Sequence, residues 1–115
     1  MKGDSFMKLI IAIIHDEDAH NLIEKLNERQ YGVTKLASTG GFLRSGNTTL
    51  LIGVDNDKVD EVIDIIKDVC KSRKELAPAL APMMGNTGVF VTYPVEVNVG
   101  GATIFVLDVD RLEKA

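Results

Sequence analysis

The sequence predicts a two-layer α+β domain, with two helices covering one face of an antiparallel sheet. Three observations predict it. Short Ile-, Leu- and Val-rich runs of strand length are interleaved with two amphipathic segments of helical period. Those runs follow the order β-α-β-β-α and then further strands. The chain has 115 residues, which suits one domain built on one core.

Taken in order, Lys8–Ile14 reads as a buried strand, short, Ile-rich and bounded by polar residues. Asp16 is placed to cap the helix that follows. Glu17 and Asp18 in its first turn suit the positive end of the helix dipole. Ala19, Leu22, Ile23 and Leu26 recur at helical spacing, and Gly32 closes the connection. Val33–Ser38 and Thr48–Val54 read as the second and third strands. Asp55, Asn56 and Asp57 offer caps for a second helix. Its apolar stripe is Val59, Val62, Ile63, Ile66, Val69 and Cys70. Arg73–Tyr93 holds Pro78, Pro82, Gly85 and Gly88 without a period, and is expected to be a long loop. Val95–Val99 alternates, Gly100 and Gly101 are expected to form a hairpin turn, and Ala102–Val109 is the last strand. The whole is the ferredoxin-like βαββαβ pattern with an extra terminal hairpin strand and a long loop after the second helix. Residues 1–6 precede a second methionine and read as an extended start or a tag remnant, leaving residues 7–115 as the single domain.

Composition narrows the function. Apolar content of 45 % with 26 % charged residues describes a folded globular chain. A net charge of −4 argues against nonspecific binding to nucleic acid or membrane surfaces. The longest N-terminal apolar run, Leu9–Ile14, is shorter than a membrane span or a secretory core. The single cysteine, Cys70, allows no internal disulfide and fits the cytoplasm.

The strands carry a second message. If helices cover one face of the sheet, the other should be polar where it meets water. Yet residues 9–14, 50–52 and 104–107 are apolar on both sides. Each such Ile or Leu is worth roughly 1.5–3 kcal/mol when fully buried. The simplest cover is a closed symmetric oligomer packed through the bare face. The competing expectation, a long loop folded back over the sheet, asks that loop also to reach the last hairpin.

Between the second and third strands lies STGGFLRSGNTT, residues 38–49. Gly40 and Gly41 let backbone N–H groups approach a ligand and form an anion-binding concavity. Thr34 and Thr39 add hydroxyls, Arg44 adds a charged fork, and Asn47 matches the edge of an adenine. Phe42 and Leu43 offer an apolar wall for a base. Composition alone leaves an ordinary glycine-bearing loop as the simpler explanation.

The longer string TKLASTGGFLRSGNTT, residues 34–49, resembles the matching stretch of the PII-like cyclic-di-AMP receptors. The resemblance continues through YPVEV at 93–97 and GGATIFV at 100–106, and spans residues 7–115 in the order of elements. It implies a PII-like homotrimer that binds one cyclic-di-AMP in each intersubunit cleft. No chemistry is done on the ligand, and no further cofactor and no metal are involved. By the resemblance, Thr34 meets a phosphate. Gly41, Phe42 and Leu43 offer backbone N–H groups, with the Phe42 and Leu43 side chains against a base. Asn47 and the backbone at Gly53 read an adenine edge, and Phe105 reaches in from the neighbouring subunit. The loops near 40–47 and 73–92 are then expected to reorder and alter what a downstream protein sees.

This chain departs from the family pattern just before Thr34. Relatives can carry an asparagine and an arginine two positions apart; Gln30 and Gly32 stand there. Gln30 still hydrogen-bonds. Gly32 cannot neutralise a phosphate, a loss of roughly 1.5–3 kcal/mol that Arg44 is the nearest candidate to offset.

Other features have plainer readings. His15 and His20 lack companions at metal-ligand spacing and read as surface residues. Asp55, Asp57 and Asp60 read as helix-start acids rather than a metal cluster. Cys70, on an apolar stripe, reads as an inert thiol, and Met83 and Met84 as an adaptable partner surface. A small phosphate-handling enzyme of similar architecture would need a nucleophile with a base, and no base accompanies Arg44 and Asn47. RNA binding would need an aromatic cluster on a central strand, which is missing. A PII-type sensor of ATP or ADP shares the architecture and is the main alternative.

Overall fold

The computed structural model describes residues 7–36, 46–82 and 90–115. In chain order the elements are β1 (Met7–His15), α1 (Asp16–Glu28), β2 (Thr34–Leu36), β3 (Asn47–Asp55), a 3₁₀ turn (Asn56–Lys58) and α2 (Val59–Val69). After these come β4 (Arg73–Pro82), β5 (Phe90–Val99) and β6 (Ala102–Asp108). Four strands form the main sheet in the order β2-β3-β1-β6, each antiparallel to its neighbours. With β6 in the position of the fourth strand, this is the ferredoxin-like arrangement read from the sequence.

Strand alternation builds the core. Ile10, Ala12 and Ile14 of β1 and Leu50, Ile52 and Val54 of β3 are buried on one face. Ala19, Leu22 and Leu26 of α1 and Val62, Ile66 and Cys70 at α2 close over them. The spacing of these helix residues, three or four apart, puts them on one stripe. Burial pushes the Cys70 thiol up to about 11, with the Asp18 carboxylate adding to the effect. At neutral pH it therefore stays protonated and unreactive.

Helix starts differ in detail from the expectation. His15, extended, occupies the N-cap of α1, and no side chain caps the helix. Asp16 is the first helical residue; its carboxylate instead takes the hydroxyl hydrogen of Thr48, and its N–H donates to Gly46 O at 2.8 Å. Asp55 likewise precedes the 3₁₀ turn without a side-chain capping bond.

The larger difference lies after α2. The region read as a long loop holds β4 and β5, a separate two-stranded antiparallel sheet of ten paired positions, here called the arm. Its prolines hid the strands. Pro78 stands opposite Pro94 in this ladder. In a two-stranded ribbon each strand is an edge, where a missing N–H is tolerated. Gly100 and Gly101 are accordingly not a turn between paired strands. β5 pairs with β4, while β6 pairs with β1. With φ of 83° and 91°, the two glycines carry the chain from one sheet into the other. Met83 and Met84 lie outside the described residues.

Candidate functional site

The face of the main sheet turned away from the helices is set by register. Thr34, Leu51, Ile11 and Phe105 stand opposite one another in a single row across β2, β3, β1 and β6. Directly opposed residues project to the same side. Because Ile10 and Ile52 face the helices, this row faces away from them. Two residues along on either side, Gly53 with Leu9 and Leu107, and Thr49 with Ile13 and Leu36, belong to the same face. So do Asn47 and His15, opposite one another at its end.

Thr34, Asn47, Gly53 and Phe105, picked out in the sequence, thus share one surface. They do not converge within the chain. Thr34 and Phe105 sit on strands at the two edges of the sheet, three strand spacings or about 14 Å apart. Asn47 opens β3 and Gly53 lies six residues on, about 20 Å along the strand, farther than one purine edge reaches. Gln30 lies beyond α1 and is exposed, with a φ of 67°. Gly41, Phe42, Leu43 and Arg44 lie outside the described residues.

The open face is apolar and partly bare. Leu9, Ile11, Ile13 and Leu51 are half-buried, while Phe105 keeps 51 % and Leu107 45 % of their surface exposed. Thr49 is the opposite case. It is buried, yet among the described residues its hydroxyl has no hydrogen-bond partner, an arrangement that costs about 1–3 kcal/mol. Gly53 is extended and exposed; a Cβ there would meet only the Met7 side-chain tip at 3.8 Å. Among the described residues nothing gives a steric reason for a glycine there.

Sequence reasoning missed the joint at the base of the arm. Arg73 opens β4 and grips Asp18 with both ends of its fork, Nη2 to Oδ1 at 2.9 Å and Nη1 to Oδ2 at 3.4 Å. It also reaches Glu17 at 3.3 Å and Glu75 at 3.2 Å. Asp18 is only 3 % exposed, and its hydrogen bond holds the guanidinium well above its ordinary pKa. A buried carboxylate needs such a partner. His15, read as a surface residue, is half-buried, and its Nδ1 accepts the Gly100 N–H at 3.2 Å. Gly101 N–H donates to Cys70 O. No motif marks the pairs that tie the arm to α1, β1 and α2, because each joins residues more than thirty positions apart. His20 is exposed, with Nε2 4.0 Å from Glu24.

Among the described residues no cluster of His, Cys, Asp and Glu could hold a metal ion, and no helix is long and apolar enough to cross a membrane.

This architecture is that of the PII proteins. PII of Arabidopsis thaliana, in a structure bound to citrate, is similar in fold with a TM-score of 0.56. It is 21 % identical, the match covering 95 % of this chain and 82 % of that one. A functionally unknown protein from Pediococcus pentosaceus ATCC 25745 is 42 % identical with a TM-score of 0.73, over 96 % of this chain and 98 % of the other. The family model for the cyclic-di-AMP receptor matches residues 7–115. The chain belongs to the cyclic-di-AMP receptor family, and is a ligand-binding signalling protein of PII-like fold.

Proposed function

We propose that the chain binds cyclic-di-AMP in clefts between the copies of a homotrimer, and that occupancy alters the arm and so a protein partner. It binds the dinucleotide without transforming it. One observation carries the reading: Thr34, Asn47, Gly53 and Phe105 share an open apolar face but lie toward its opposite edges and ends. Residues so placed meet one ligand when the edge of one copy is set against the edge of another. Thr34, Asn47 and the 40–44 backbone then come from one protomer, and Phe105 from its neighbour. The bare Phe105 and Leu107 support an outside partner for this face. Gly53 supports it too, since a glycine within a strand often marks close approach by a ligand or another backbone. Cys70, free and buried, suits the reducing cytoplasm where we place the protein.

Calorimetric titration with cyclic-di-AMP, cyclic-di-GMP, ATP and ADP tests this. Saturable binding of cyclic-di-AMP in preference to the others is expected. Preference for ATP or ADP would instead make the chain a PII-type adenylate sensor, and phosphatase turnover without binding a small enzyme. Thr34→Ala and Asn47→Ala are each expected to weaken binding about tenfold, as for a lost hydrogen bond to a charged or buried partner, with the trimer intact. If both variants bind like the parent, the site lies elsewhere.

A further inference from the structure

His15 stands where the open face ends and the arm begins. It is opposite Asn47 in the β1–β3 ladder, and the two share a face. With Gly100, Gly101 and Thr103 they line a cavity of about 300 Å³. Nδ1 of His15 is committed, since it accepts the Gly100 N–H at 3.2 Å. A neutral imidazole that accepts at Nδ1 carries its proton on Nε2. Among the described residues none accepts a hydrogen bond from that nitrogen. One wall of the cavity is thus a histidine whose Nε2 is a hydrogen-bond donor, with Asn47 among the other lining residues.

The corner behind His15 is braced from both sides. Asp16 binds Gly46 and Thr48, at the exit of the 37–46 segment. Glu17 and Asp18 hold Arg73, at the start of the arm. Gly100, at the arm's end, has no room for a Cβ, which would collide with the Lys71 carbonyl and the Arg73 fork. A ring held this closely cannot shift without disturbing the joint.

We propose that His15 is a further ligand-contacting residue, donating from Nε2 to a phosphate oxygen or a purine nitrogen of the bound dinucleotide while Nδ1 holds the arm's joint. The proposal rests on the cyclic-di-AMP reading and assigns to that site a contact at the Asn47 end. One side chain then touches both the ligand and the arm. Phosphate oxygens and purine ring nitrogens accept hydrogen bonds and donate none, so a lone donor suits them.

The test uses the full chain with cyclic-di-AMP as the probe. His15→Leu keeps a side chain of comparable bulk but removes both bonds; His15→Gln keeps an acceptor for Gly100 and a donor for the ligand. Affinity is read by titration, and amide hydrogen exchange is followed at Gly100, Gly101 and along β4 and β5. His15→Leu should weaken binding by about tenfold or more, and bound ligand should no longer alter exchange at Gly100. His15→Gln should restore most of both, whereas His15→Glu, which keeps an acceptor for Gly100 but has no donor for the ligand, should hold the joint and still bind weakly, a split that a merely structural role for the ring would not produce. A parent that binds, with a folded His15→Leu of equal affinity, overturns this proposal and leaves the functional reading standing. A parent indifferent to cyclic-di-AMP overturns both.

Discussion

Gln30 follows α1 with a left-handed backbone, φ 67°, where glycine is the usual choice. The hydrogen bonds around it explain the conformation. Tyr31 N–H donates to Leu26 O and Gln30 N–H to Asn27 O, both at 2.9 Å, the paired bonds of a Schellman cap. A side chain in this region costs roughly 1–2 kcal/mol relative to glycine. Gln30→Gly should therefore raise stability by about 1 kcal/mol, read as a higher denaturation midpoint at unchanged slope. If Gln30 also serves the ligand, the same substitution should lower cyclic-di-AMP affinity, a gain in stability at the expense of function. A variant that is more stable and binds as well as the parent would remove Gln30 from the site. Asp18 shows the reverse situation. Nothing in its local sequence distinguishes it from Glu17, yet burial beside Arg73 makes it the anchor of the joint.

The arm is the element that the sequence least suggested. An isolated two-stranded ribbon is marginally stable in water. Here its base is fastened by the Arg73–Asp18 pair, the Gly100–His15 bond and the Gly101–Cys70 bond. Gly100→Ala should undo that fastening, because positive φ and the Lys71 carbonyl both oppose a Cβ. The expected result is faster proteolysis within residues 73–99 and a loss of at least about 1–2 kcal/mol in stability. Cleavage at the parental rate would show that the joint does not hold the arm. Along β5, Val91, Tyr93, Val95, Val97 and Val99 keep a period of two that is plain once the ladder is known. Pro78, Pro82 and Pro94 concealed it, since a proline is evidence against a central strand but not against an edge.

For the whole molecule, the open face is the surface on which the proposed trimer packs. Ile11 lies at the middle of the Thr34–Phe105 row. Ile11→Asp would put a charge into an interface that buries this row, where it costs several kcal/mol unless paired. Sedimentation should find a trimer for the parent and a monomer for Ile11→Asp, with helical circular dichroism unchanged and cyclic-di-AMP binding lost. A variant that stays trimeric would place the interface on another surface. The sequence by itself determined the two helices, the four strands of the main sheet and the excess of apolar residues on both strand faces. Those features are written in local periodicity, which survives in one dimension. It also held the 34–49 string, long enough to point to the family. Tertiary structure alone decided that Thr34 and Phe105 end one row at opposite edges, that β5 joins β4 rather than β6, and that His15 and Asp18 hold the arm. Each of these is a pairing between distant positions, fixed by strand register and burial, and no local pattern of residue types encodes which distant partner a side chain will meet.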